Sequence, residues 1–185
     1  TKRSPETRAL LRKVTELERD GYSFEGAEAS FELLLMQTVG TYRKLFDVLA
    51  LRVIVEQRGG GESTTEATIK VRVGEEERLT VAEGDGPIHA LDSALRKALQ
   101  EFYPELSTIR LTDFKVRVVN LMEGTAAKVR TIIDSSDGED LWSTVGVSTN
   151  MIIASWHALV DSVVYGLLRE RIPTDSNTQP ENEGA

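Results

Sequence analysis

The chain has 185 residues, 40% of them hydrophobic, enough for a real core in one domain with an appendage or in two small domains. Its net charge of −8 and pI near 4.9 argue against a general nucleic-acid binder, which carries a basic excess. It has no cysteine, so disulfides, thiolate metal sites and a catalytic thiol are excluded.

The two histidines, His89 and His157, form no H-x-H pair and no cluster with metal-ligand spacing. No metal and no cofactor are expected. No apolar run approaches the ~20 residues of a membrane span, and no signal-peptide pattern opens the chain. The expectation is a soluble cytoplasmic protein.

Ser4-Pro5-Glu6 reads as a helix start, with a capping serine, a first-position proline and an acid in the first turn. Leu10, Leu11, Val14 and Leu17 follow at helical spacing, and Asp20-Gly21 ends the helix. A second helix is predicted over Gly26–Val39, with Ala27, Phe31, Leu34 and Leu35 on one side and Gly40 as its stop. From Phe46 the period falls to two. Leu51, Val53 and Val55 alternate with Arg52, Ile54 and Glu56, and the Gly59-Gly60-Gly61 loop follows. Ile69, Val71 and Val73 make a second strand and Arg78–Val81 a third. Glu83–Leu95 then reads as a glycine loop feeding a helix, with Pro87 at the first position. Ile88, Leu91, Leu95, Ala98 and Phe102 form its buried stripe, while Asp92, Arg96, Lys97 and Gln100 face outward.

The pattern then repeats. Phe114, Val116 and Val118 alternate with Lys115 and Arg117, and Val129, Thr131 and Ile133 with Lys128, Arg130 and Ile132. Asp137-Gly138 is a hairpin turn, Leu141–Val147 a strand, and Ser148-Thr149-Asn150 caps a helix with Ile152, Trp156, Leu159, Val163 and Leu167 on its stripe. Thr80-Val81 matches Thr144-Val145, and Ala90, Ala94 and Leu95 match Ala154, Ala158 and Leu159 at one offset. The fold class is therefore α+β. Two βββα units, about 46–104 and 108–172, follow two linker helices in 1–45 and precede a disordered tail at 173–185. Small open-edged sheets and internal pseudo-symmetry point to a homodimer.

The Lys-Val-Arg stretches at 70–72, 115–117 and 128–130 read as ion-paired sheet surface rather than a nucleic-acid face, since the strands lack base-stacking aromatics. Asp134-Ser135-Ser136-Asp137 reads as a turn, because no glutamate follows at the calcium-loop position. Gly84 and Gly86 allow a tight turn and close approach, and the helix start beyond them offers unpaired N–H groups to an anion. Its plain alternative is an ordinary strand-to-helix turn. His89 reads first as a surface or packing histidine and second as a polar liner of a pocket. His157 reads as structural. Asp113 is a turn residue or a partner for a ligand ammonium. Ile88, Leu111, Phe114, Val118, Ala126 and Ala127 would suit the aliphatic part of a small carboxylate ligand.

Three stretches carry a resemblance: Gly124-Thr125-Ala126-Ala127-Lys128-Val129-Arg130, Trp142–Asn150, and Ala154-Ser155-Trp156 with Ala158–Ser162. Together with the glycine stretch 84–95 and Leu111–Arg117, they resemble the C-terminal regulatory domain of the isopropylmalate synthase and citramalate synthase family. Phe114 stands where a tyrosine is more usual. Gly21–Leu34 is closer to the citramalate synthase branch. The resemblance implies a dimerising domain, without the catalytic barrel, that binds a branched-chain amino acid as a feedback effector, isoleucine before leucine. No nucleic acid and no membrane partner is implied. Carried over by motif, the effector residues are Gly84, Gly86, Ile88 and His89; Leu111, Phe114 and Val118; Thr125, Ala127 and Val129; and Thr149 and Met151. A dimerisation domain without an effector is the alternative.

Overall fold

The structure is a computed structural model that describes residues 4–57, 59–119, 124 and 126–170, the last by its backbone alone. Thr125 and the expected tail at 173–185 lie outside the described residues.

Helix α1 spans Pro5–Arg19 and is capped by Ser4, whose hydroxyl accepts the Thr7 N–H at 3.2 Å. None of its residues is buried. Helix α2 spans Glu28–Val39 and ends at Gly40, whose φ of 78° is the left-handed conformation glycine favours. The face it buries is Ala29, Ser30, Leu33 and Leu34, while Leu35, expected to be buried, is exposed. The reason is tertiary, since α2 packs against the second unit as well as α1.

Strands β1 (Asp47–Gln57), β2 (Ser63–Val73) and β3 (Glu76–Gly84) form one antiparallel sheet in chain order. Helix α3 (Pro87–Leu99) and a 3-10 turn (Pro104–Ser107) follow. Strands β4 (Arg110–Val118), β5 (Val129–Ser136) and β6 (Leu141–Ser148) form the second sheet, and α4 (Met151–Glu170) closes it. The two predicted βββα units are present. Asp134–Ser136, expected in a turn, continue β5, because their N–H and C=O groups pair with β4 and β6. The turn begins at Asp137, whose Oδ1 accepts the N–H groups of Glu139 and Asp140.

Alternation decides the faces. On β2, Thr65, Ala67, Ile69 and Val71 are buried and the residues between them are not. The repeat extends to hydrogen bonding. Thr80 Oγ1 donates to the Ala94 carbonyl at 2.8 Å, and Thr144 Oγ1 donates to the Ala158 carbonyl at 2.7 Å. Each bond ties the third strand of a unit to its own helix. Helices α3 and α4 touch each other, so both units share one core that includes Leu91, Leu95, Leu99, Ile133, Leu159 and Leu167. Each such side chain contributes about 1.5–3 kcal/mol by burial. Tyr103 ties together the two ends of the first unit by donating to the Leu45 carbonyl at 2.6 Å.

The helices lie over β2, β3, β5 and β6, which leaves the helix-facing rows of β1 and β4 partly open. Val55 is 55% exposed, Phe114 38%, Val116 37% and Val118 50%. All four share the face of buried or half-buried partners across the ladder. The opposite faces carry the basic side chains of the Lys-Val-Arg stretches, and four of the six form ion pairs: Lys70 with Glu77, Arg72 with Asp47, Lys115 with Asp113 and Asp134, Lys128 with Asp20.

Helix α4 corrects one expectation. Over Met151–Arg169 its mean hydropathy is 1.5, so it is long and apolar enough to cross a membrane by length and composition, but 67% of it is buried inside the fold. Its apolar character comes from contacts on several sides: β5, β6, α2, α3 and the 3-10 turn.

Candidate functional site

A cleft of about 680 Å³ opens between the first half of α3 and the start of β4, in the size range of small-molecule sites. Ile88, Leu111 and Phe114 supply an apolar wall; His89, Asp92, Arg96, Ser107 and Arg110 supply polar groups. Ile88, Asp92 and Arg96 share a face because they are spaced four apart on one helix. Leu111 and Phe114 reach the cleft across a β-bulge between Leu111 and Asp113, which turns both toward α3.

Asp92 and Arg96 are the polar centre. Both were expected to face solvent, and both are instead only partly accessible, at 19% and 25% of the side chain. The Arg96 guanidinium donates through Nε to Asp92 Oδ2 at 2.8 Å, and through Nη1 to the carbonyls of Leu106 and Ile109 at 3.0 and 2.7 Å. Arg96 thereby fixes the segment that forms one wall. Asp92 Oδ1 is buried and has no hydrogen-bond partner. A buried carboxylate oxygen without a donor is costly. Asp92 is part of the lining of the cleft, with this one oxygen closed off from solvent.

The two helix starts differ. Helix α4 is capped from within, for Asn150 Oδ1 accepts the N–H groups of Ile152 and Ile153 at 2.9 and 3.2 Å. Helix α3 has Gly86 at the cap position and no side-chain cap. Its first N–H groups and positive dipole end are open to an anionic group. His89 is exposed and its Nδ1 accepts the Asp85 N–H at 3.2 Å, which braces the loop beside this start. The asymmetry continues along the helices. Where α3 carries Asp92 and Arg96, α4 carries at matching positions Trp156, buried in the core, and Val160, packed against it. The second unit fills with apolar side chains the positions that the first keeps polar.

Gly84 and Gly86 do not supply the tight turn that the sequence suggested. Neither adopts a positive φ. Gly84 is needed for packing, because a Cβ there would lie 2.5 Å from the Ala90 nitrogen. Gly86 is extended, and a Cβ there would meet nothing.

Of the sequence-derived residues, Ile88, His89, Leu111 and Phe114 line the cleft together, with Gly86 at the head of its helix. Val118, Val129 and the end of β6 lie in one row across the second sheet, and Thr149 and Met151 continue from there into α4. Val118 is four residues along β4 from Phe114, about 13 Å away. Ala127 is buried and Met151 is 52% exposed. This second group does not line the cleft of the same chain. Asp113, a possible ammonium partner by sequence, is also elsewhere. It pairs with Lys115 at 2.7 Å and accepts the Phe114 N–H. The Lys115 hydrogen bond, then that N–H, holds its carboxyl below the usual range. Asp92 was missed because outward spacing on an amphipathic helix reads as solvent. The signal available was the i, i+4 pairing with Arg96 opposite the apolar start of the following strand. Among the described residues no cluster of histidine and acidic groups could hold a metal.

Residues 25–167 match the family described as the LeuA allosteric (dimerisation) domain. The chain is 51% identical over 166 residues to (R)-citramalate synthase of Geobacter sulfurreducens, covering 89% of this chain and 31% of that protein. It is 50% identical over 169 residues to (R)-citramalate synthase of Aquifex aeolicus, covering 91% and 32%. With the enzyme of the same name from Sulfolobus acidocaldarius it shares 40% identity over 171 residues, covering 92% and 31%. The chain thus spans about a third of the length of these curated relatives. With two βββα units, open edge strands and a match across both, this chain belongs to the LeuA allosteric (dimerisation) domain family.

Proposed function

We propose that this chain is the amino-acid-sensing and dimerising region of a citramalate synthase, an acyltransferase that condenses acetyl-CoA with pyruvate, and that isoleucine is its feedback effector. The observation that carries this reading is the cleft. It offers an uncapped helix start for a carboxylate, the Asp92 carboxylate in its lining for an ammonium, and an apolar wall of Ile88, Leu111 and Phe114. That set complements an α-amino acid with an aliphatic side chain. The region itself performs no chemistry; the reaction belongs to the remaining two thirds of proteins like its relatives.

The second group of residues, Val118, Thr125, Ala127, Val129, Thr149 and Met151, would act through the dimer. Val116 and Val118 on the open edge strand β4 supply an apolar row that a second copy would cover. A partner's row brought to the cleft would complete its aliphatic side. Effector binding would then favour one arrangement of the dimer and bias the distant catalytic portions; about 1–3 kcal/mol of coupling suffices. Calorimetry of this chain with isoleucine, leucine and valine tests the reading. Heat with isoleucine at a lower Kd than leucine supports it. Tighter leucine binding would reassign the sensor to the isopropylmalate synthase type. Absence of heat with all three, from a dimeric sample, would leave a dimerisation domain alone.

A further inference from the structure

Residues 20–39 form a clasp around the free edge of β6. Tyr22, Phe24 and Ala27 pack with Val145 and Val147. Ser30 Oγ accepts the Val145 N–H at 2.9 Å, so α2 satisfies an edge-strand donor. Asp20 pairs with Lys128, and Arg130 Nε donates to the Gly21 carbonyl at 2.7 Å. The Tyr165 hydroxyl donates to Glu32 at 2.7 Å. Inside the clasp a cavity of about 180 Å³ separates α1 and α2 from α4. The acidic residue lining it is Asp161.

Asp161 is poorly supplied with countercharge. From α1 it is faced by Lys13, from the connecting loop by Tyr22, from α2 by Ser30 and Gln37, and beyond α2 by Tyr42. On α4 itself, His157 lies one turn before it, with a ring whose pKa is lowered by burial, and Tyr165 one turn after. Of these, Lys13 is the one cation, and it sits on a helix with no buried residue.

We propose that this clasp is a proton-controlled contact in which a neutral Asp161 holds α1 and α2 against the second unit and an ionised Asp161 loosens them. Burial pushes the Asp161 carboxyl up to about 7 from its ordinary 3.8, with the Ser30 hydrogen bond opposing. A carboxyl whose pKa is raised in the closed state binds protons preferentially there. The closed state is therefore favoured in full below about pH 4 and loses that advantage as pH rises through 7. The consequence is that the segment leading into the regulatory fold tightens in mild acid and relaxes in mild base, independently of any ligand in the α3–β4 cleft.

The test is hydrogen exchange of the whole chain between pH 5.5 and 8, normalised to intrinsic rates. Protection of α2 should fall about tenfold or more while α3 amides hold steady. Asp161→Asn should keep α2 protected across the range, and Lys13→Ala should move the midpoint to higher pH. The carbon-13 titration of the Asp161 carboxyl in the unsubstituted chain needs no variant and should show a midpoint near 7. A flat α2 profile, parallel loss in α3, an unchanged profile in Asp161→Asn, or a carboxyl midpoint near 4 would each overturn the proposal.

Discussion

Replacing Asp92 with asparagine isolates one oxygen. In the unliganded chain Oδ2 already accepts Arg96 Nε at 2.8 Å, a bond the asparagine carbonyl can keep. The Arg96 bonds to the Leu106 and Ile109 carbonyls do not involve Asp92, so the wall of the cleft stays in place. What changes is Oδ1, buried and unpartnered, which gives way to an amide NH₂, so that the lining of the cleft loses its negative charge. A hydrogen bond to a charged group is worth about 1.5–3 kcal/mol net. That corresponds to roughly 10- to 150-fold in Kd. Loss of the negative charge from a site only 19% accessible places the expectation in the upper half of that range. Calorimetry of the chain and of Asp92→Asn with isoleucine at pH 7 reads the effect directly, with urea denaturation showing stability unchanged within about 1 kcal/mol. Isoleucine affinity within twofold of the parent chain, in a folded variant, would refute the ammonium role of Asp92.

Gly86→Asp fits the extended backbone and meets no atom at Cβ. It should cap α3, stabilise the chain by about 0.5–1 kcal/mol in thermal unfolding and weaken isoleucine binding at least several-fold by occupying the helix start. Unchanged affinity would argue that the effector carboxylate lies elsewhere. Asn150→Ala removes the cap of α4 and should cost about 1 kcal/mol in urea denaturation without weakening ligand binding by the first unit. Gly84→Ala drives a Cβ to 2.5 Å from the Ala90 nitrogen, which is backbone and cannot swing aside; a loss of about 1–3 kcal/mol in the same assay is expected. Thr144→Val removes the hydroxyl bond to Ala158 from a fully buried site, and about 1 kcal/mol should disappear from unfolding stability.

Legibility in the sequence followed from how local each feature is. Alternation of Ile69 and Val71 with Lys70 and Arg72 dictates a strand with one wet face, and the spacing of Leu91, Leu95 and Ala98 dictates a helix with one dry face. Ser4, Gly40, Gly138 and Asn150 act within a few residues of themselves, so caps and turns could be read directly. The repeat was visible because equivalent packing demands equivalent residues, and the paired Thr80 and Thr144 hydrogen bonds show that equivalence in space. Ile88, His89, Leu111 and Phe114 were grouped through motif resemblance, and the fold brings them together along one cleft.

Tertiary structure alone decided the rest. Asp92 and Arg96 look like surface residues until β4 and the 3-10 turn close over them, because burial of a helix face depends on what arrives from elsewhere in the chain. Leu35, expected on the dry side, is exposed and Ser30 is buried because α2 is clamped to the edge of β6 rather than to α1 alone. The single apolar stripe read on α4 stands for a helix buried on several sides. Sequence periodicity reports the chain's preference for a dry face. Which neighbour supplies that face, and which polar group is trapped beside it, is settled only when residues far apart in the chain are packed together.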